Sequence, residues 1–122
     1  MSFIPAVRRE INTRRSRDPV RLTLDFLLQR AVGRGHAVTL ANIVKHLRFA
    51  GVSVTPTQFQ QTILAESRDR DYFIGSNQAG YMLIDTIDDA RAMRDFYEER
   101  IRAEQQNLDN LRRQAATVGW GI

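Results

Sequence analysis

The chain has no cysteine, three prolines in 122 residues, one tryptophan, and a single lysine among its 18 basic residues. Without cysteine there are no disulfides, thiol nucleophiles or thiolate zinc sites, which fits a reducing compartment. Long hydrophobic runs are also missing. The longest, Tyr81-Met82-Leu83-Ile84, is far short of the roughly 20 residues that cross a bilayer. The N-terminus lacks the apolar stretch of a secretory signal, so the expected location is cytoplasmic, with no membrane partner. His36 and His46 are the only histidines, and neither has a carboxylate at ligand spacing, so no metal site is expected. Gly33-Arg34-Gly35 lies between a helix and a short strand, the wrong order for a phosphate loop, and no cofactor is expected. Ser53, Ser67 and Ser76 have neither an elbow motif nor a placed base, so the chain reads as a non-enzyme with no catalytic residues.

What is present is a soluble globular composition, 43% hydrophobic and 26% charged, enough for one domain around one core. The formal net charge is +4, and it is unevenly placed. Residues 1–21 carry six arginines against Glu10 and Asp18, while the segment from 85 to the C-terminus carries eight acids against six arginines. Arginine is a planar, permanently charged fork suited to phosphates and guanine edges. Biased codon usage produces the same excess, so it permits nucleic-acid binding without requiring it.

Residues 1–17 read as a basic flexible arm, with Arg8, Arg9, Arg14, Arg15 and Arg17 among small and polar residues. A domain over 18–85 follows. Asp18-Pro19 is a cap and first-turn proline for a helix with Val20, Leu24, Leu27 and Leu28 on one face. His36-Ala37-Val38 reads as a short strand. Thr39 caps a second helix with Leu40, Ile43, Val44 and Leu47 at helical spacing, ending at Gly51. Thr55-Pro56 opens a third helix to about Arg68 or Asp69, so two capped helices flank a tight turn. Tyr72–Gly75 and Gly80–Ile84 form a β-hairpin with Ser76-Asn77-Gln78-Ala79 at its tip. Thr86 caps a last helix over 86–118, and 119–122 is a tail containing Trp120. The fold class is mainly α with a small β-hairpin and a long C-terminal helix.

The order helix, strand, helix, turn, helix, hairpin over 19–85 resembles a winged helix-turn-helix domain. The segment Tyr72 to Ile84, an acidic helix start and Asp95-Phe96-Tyr97-Glu98-Glu99-Arg100-Ile101 resemble small winged-helix proteins encoded by bacteriophages and prophages, generally taken to be DNA-binding or regulatory. The resemblance implies that the third helix enters the major groove and the hairpin touches flanking DNA. With Phe59, Ile63 and Glu66 facing inward, the opposite face carries Thr57, Gln58, Gln61, Leu64, Ala65 and Arg68. Glutamine reads adenine and arginine reads guanine. The wing offers Ser76, Asn77 and Gln78, all uncharged, so phosphate attraction falls to Arg8, Arg9, Arg14, Arg15 and Arg17 in the arm, Arg34, and Lys45 and Arg48 on the second helix.

The expected function is therefore a sequence-specific regulator that binds double-stranded DNA in transcription or replication. The third helix is close to neutral, and the alternative is a winged-helix module that binds a protein partner without DNA. A structural assembly protein built on the long helix is a third reading. Along the last helix, Tyr97, Ile101, Leu108, Leu111, Ala115 and Val118 follow a 4-3 repeat broken at Glu104, so a homodimer is expected, with Trp120 docking within it.

Overall fold

Residues expected to form a flexible basic arm instead form a helix, α1 (Ile4–Thr13), in the computed structural model, which describes residues 2–122. Pro5 sits in the first turn, where its missing amide costs nothing. Ile4, Val7 and Ile11 repeat at helical spacing and turn Val7 and Ile11 into the core.

The next helix, α2 (Pro19–Arg30), begins as its sequence indicates, with the Asp18 carboxylate accepting from the Val20 and Arg21 amides. Val20, Leu24 and Leu27 form its buried face. The expected strand at His36–Val38 is not formed: Arg34–His36 is a 3-10 turn, and only Val38 pairs, in an antiparallel bridge with Tyr81. Helix α3 (Leu40–Phe49) is capped by Thr39. It ends at Gly51, whose φ of 92° lets the Val52 amide return to the Leu47 carbonyl.

Pro56–Gln58, Phe59–Leu64 and Ala65–Arg70 run on as one helix, α4, opened by a reciprocal capping box between Thr55 and Gln58. Its middle third, Phe59–Leu64, is a wider π-helical turn. The Thr62 hydroxyl donates to the Gln58 carbonyl, occupying an acceptor that the α-helical ladder would use. The widening changes which side chains face inward. Phe59, Ile63, Leu64 and Ser67 are buried and Glu66 is exposed, so the expected outward Leu64 and inward Glu66 are exchanged. The expectation of 100° per residue fails where the turn carries an extra residue.

Strands β1 (Ile74–Asn77) and β2 (Gly80–Leu83) form an antiparallel hairpin in register Ile74↔Leu83 to Asn77↔Gly80, leaving only Gln78-Ala79 as the turn. The expected four-residue tip is therefore shorter, because Ser76 and Asn77 belong to the strand. On its other edge β2 meets the segment after α2, with the Leu83 amide donating to the Ala31 carbonyl and the Gly33 amide to the Leu83 carbonyl. Leu24, Leu27, Ile43, Leu47, Phe59 and Ile74 are at the centre of the core.

Helix α5 (Ile87–Thr117) is 31 residues long, about 46 Å at the usual rise. The chain divides at Ala90 into two compact units, the second being Arg91–Ile122. At its C-terminal end Gly119, at φ 82°, is followed by Trp120, whose amide returns to the Ala115 carbonyl. This is a Schellman end, and Ala115 is buried within it. None of the described helices is long and apolar enough to cross a membrane.

Asp89, 3% exposed, closes the start of α5. One carboxylate oxygen accepts from the Asp85 and Thr86 amides, the other from the amide and guanidinium of Arg34, at 3.0–3.3 Å. Burial by itself raises the carboxyl pKa, but these three backbone donors and the Arg34 charge outweigh it and hold the group below the usual carboxylate value. A depressed folded pKa gives stability that is complete above the unfolded value of about 3.9 and is lost as pH falls through the folded value. Asp89→Asn, which cannot ionise, is expected to flatten this acid limb. It is also expected to lower stability at pH 7 by about 2 kcal/mol, read by urea unfolding between pH 2 and 7. An acid limb unchanged by the substitution would contradict the assignment.

Candidate nucleic-acid interface

The residues expected to contact DNA fall into two groups, those fixed inside the protein and those left free. Arg14 is fixed. Its side chain is only 10% exposed and binds Glu10 at 2.7 Å, Asp18 at 3.0 Å and Glu66 at 3.3 Å. Burial opposes its charge, but these carboxylates outweigh that and raise its pKa above the usual arginine value. Glu10 also receives Arg70 at 3.1 Å, so the C-terminal half of α4 is tied to α1 through a charged network. Arg14 is thus corrected from a phosphate anchor to an internal cross-link, because three carboxylates already fill its fork. Arg15 is exposed, but it lines an open cleft with Glu66, Asp69 and Arg70, where acidic neighbours offset its attraction for phosphate. Arg17 is exposed and unpaired.

Arg68 is likewise committed. Its Nε donates to the Ile74 carbonyl at 3.1 Å, Nη2 reaches the Ser76 hydroxyl at 3.5 Å, and the guanidinium lies over the Tyr72 ring at 4.8 Å. It is a strut between α4 and β1, so its expected role as a free guanine reader is corrected. Ser76 is the far end of that strut. Gln60 and Tyr81, which the sequence did not single out, brace the same junction. The Gln60 amide donates to the Tyr81 hydroxyl at 3.0 Å, and Phe59 meets Tyr81 edge to face.

Asn77, expected at the wing tip as a contact, folds its carboxamide oxygen onto the Ala79 and Gly80 amides and donates to the Arg34 carbonyl. Asn77 is a turn-former, and only Gln78 is left exposed without a partner at the tip. Arg34 itself spends one guanidinium nitrogen on Asp89. His46 stacks on Phe26, with ring centroids 4.3 Å apart.

What stays free on α4 is a polar stripe, with Thr57, Gln58, Gln61 and Ala65 exposed in its first ten residues. Gln58 uses its side-chain oxygen in the capping box and keeps its NH2 donors. On α3, Lys45 and Arg48 are exposed and make no ion pair. The face therefore offers uncharged donors and acceptors on one helix and two cations on the helix before it. Beside Arg48, Phe49 is 89% exposed.

The residues expected to dimerise divide in the same way. Ile101, Leu108, Leu111, Val118 and Trp120 are exposed on the second unit, Tyr97 is half-buried, and Ala115 is covered within its own chain. In comparisons with known proteins, no family, no curated protein and no solved structure matches the chain.

Proposed function

We propose that this protein is a sequence-specific, double-stranded DNA-binding regulator of the winged helix-turn-helix kind, acting as a homodimer. The observation that carries the reading is the uncommitted stripe Thr57, Gln58, Gln61 and Ala65 on the second helix of the α3–α4 pair. The hairpin is braced against the same helix by Arg68 and Gln60. Gln61 has the donor and acceptor that match adenine in the major groove, and Gln58 adds NH2 donors. Lys45 and Arg48 supply the phosphate attraction, and Gln78 supplies the wing contact. Arg17 adds a third cation.

The test is fluorescence anisotropy on duplex DNA at two salt concentrations. Three phosphate contacts from each protomer, six in the dimer, predict affinity falling about two-thousandfold between 50 and 200 mM salt. Lys45→Ala with Arg48→Ala is expected to flatten that slope, and Gln61→Ala to weaken a selected target about tenfold with the slope unchanged. No binding at low salt would overturn the reading.

A second reading, a protein-binding module without DNA, is favoured by one observation, the exposed ring of Phe49 at the end of α3. Under that reading DNA binding is absent and Phe49→Ala abolishes partner capture.

A further inference from the structure

Along helix α5 and its C-terminal end, Ile101, Leu108, Leu111 and Val118 form an exposed apolar seam. Tyr97, Ile101, Leu108, Leu111 and Val118 recur at intervals of four and three, with Glu104 at the one charged position and Ala115 completing the row. Ile101 is 67% and Leu111 57% exposed. The seam runs about 30 Å, enough for a two-helix contact with a second copy, and the chemistry of its edges decides how the copies pair.

In a parallel pair each seam residue meets itself. Glu104 then faces Glu104 between apolar layers, a like-charge contact in the driest part of the interface. At the edges Arg100 meets Gln105 and Asn107 meets Arg112, so no ion pair forms across the seam. In an antiparallel pair centred near Gln106, Ile101 lies opposite Leu111 and Glu104 opposite Leu108. The two Glu104 carboxylates move to separate layers. Glu98 then lies beside Arg112 of the second copy, and two-fold symmetry makes this pair twice. Within one chain Glu98 and Arg112 are both exposed, and Glu98 acts on Arg94, whose ion pair is with Asp95.

We infer that α5 is a self-complementary dimerisation surface whose occupant is the same helix of a second copy, antiparallel, with Glu98 and Arg112 as the pair that selects orientation. This goes beyond the DNA reading and does not depend on it. The test is run without DNA.

The natural absence of cysteine makes single-site labelling simple. With a nitroxide on Ala92→Cys, an exposed position, dipolar spectroscopy of the full chain is expected to give about 42 Å between copies, from 1.5 Å of rise per residue. A parallel pair would give about 20 Å, the interaxial distance plus two side-chain offsets. In sedimentation equilibrium, Glu98→Arg is expected to weaken dimerisation about tenfold, because it sets arginine against arginine twice. Adding Arg112→Glu is expected to restore it. A 20 Å distance, a monomer at all concentrations, or a double reversal that fails to rescue would each overturn the proposal. Loss of DNA binding with the 42 Å distance intact would overturn the function proposed above and leave this one standing.

Discussion

Removing residues 2–13 is expected to unfold the first unit. The deletion takes out α1, and with it Val7 and Ile11, both buried against the rest of the core. Each such side chain contributes about 1.5–3 kcal/mol by leaving water, and the vacated space adds to the loss. The deletion also strips Glu10 from Arg14 and Arg70, leaving the nearly buried Arg14 guanidinium with fewer carboxylates to offset its burial. A combined loss of about 5 kcal/mol is comparable to the whole stability of a domain this size. The control is Arg8→Ala with Arg9→Ala. Both residues are exposed and unpaired, so the double variant is expected to melt within a few degrees of the natural chain. Thermal unfolding followed by circular dichroism reads both. A truncated chain that melts with the same midpoint would show that α1 is dispensable. The experiment also bears on function, because loss of DNA binding on truncation would report unfolding; the arm's charge is tested by the arginine variants.

The N-terminus shows what was legible in the sequence. The signal for α1 was there: Ile4, Val7 and Ile11 at helical spacing, with proline in the first turn. Five arginines among polar residues outweighed it, since a helix with only three core residues leaves most of its surface charged. The elements with strong punctuation were readable from caps alone. Asp18-Pro19, Thr39, Thr55-Pro56, Gly51, Thr86 and Gly119 all act as their chemistry indicates.

The π turn in α4 was not legible, because it leaves no periodic mark in the sequence. With it went the assignment of Leu64 and Glu66. The candidate site was readable only by residue type. Thr57, Gln58 and Gln61 are exposed on the expected helix, while Arg14, Arg68 and Asn77 are turned to internal work. Those partnerships include Arg14 with Glu66, 52 residues apart, and Asn77 with Arg34, 43 apart. Local pattern carries no information on contacts of that range. A charged or amide side chain in a basic sequence looks free until the fold brings it a partner.

Gly80 carries the second large effect. It sits at φ 138°, where residues with a side chain rarely go, and a Cβ placed on it would lie 1.9 Å from the Val38 carbonyl oxygen and 2.6 Å from the carbonyl carbon. These are backbone atoms and cannot swing aside. They are also the atoms that tie the hairpin to the start of α3, through the Tyr81 amide to the Val38 carbonyl at 2.8 Å and the Val38 amide to the Tyr81 carbonyl at 2.9 Å. Gly80→Ala must therefore break this bridge or move the hairpin, at a cost of about 3 kcal/mol or more from strain and lost pairing. Gly35→Ala is the matched control. It has no atom within 4 Å of the added carbon and no positive φ, so it is expected to leave stability nearly unchanged. Hydrogen exchange separates the two outcomes: the Val38 and Tyr81 amides are expected to lose protection in Gly80→Ala and keep it in Gly35→Ala. A displaced hairpin also moves Ser76 and Ile74 away from Arg68 and releases that guanidinium. If the wing is part of the DNA contact, Gly80→Ala in its surviving folded fraction weakens binding through Gln78 without touching Gln61. Retained amide protection at both positions would mean that the hairpin does not depend on the absence of a side chain at residue 80.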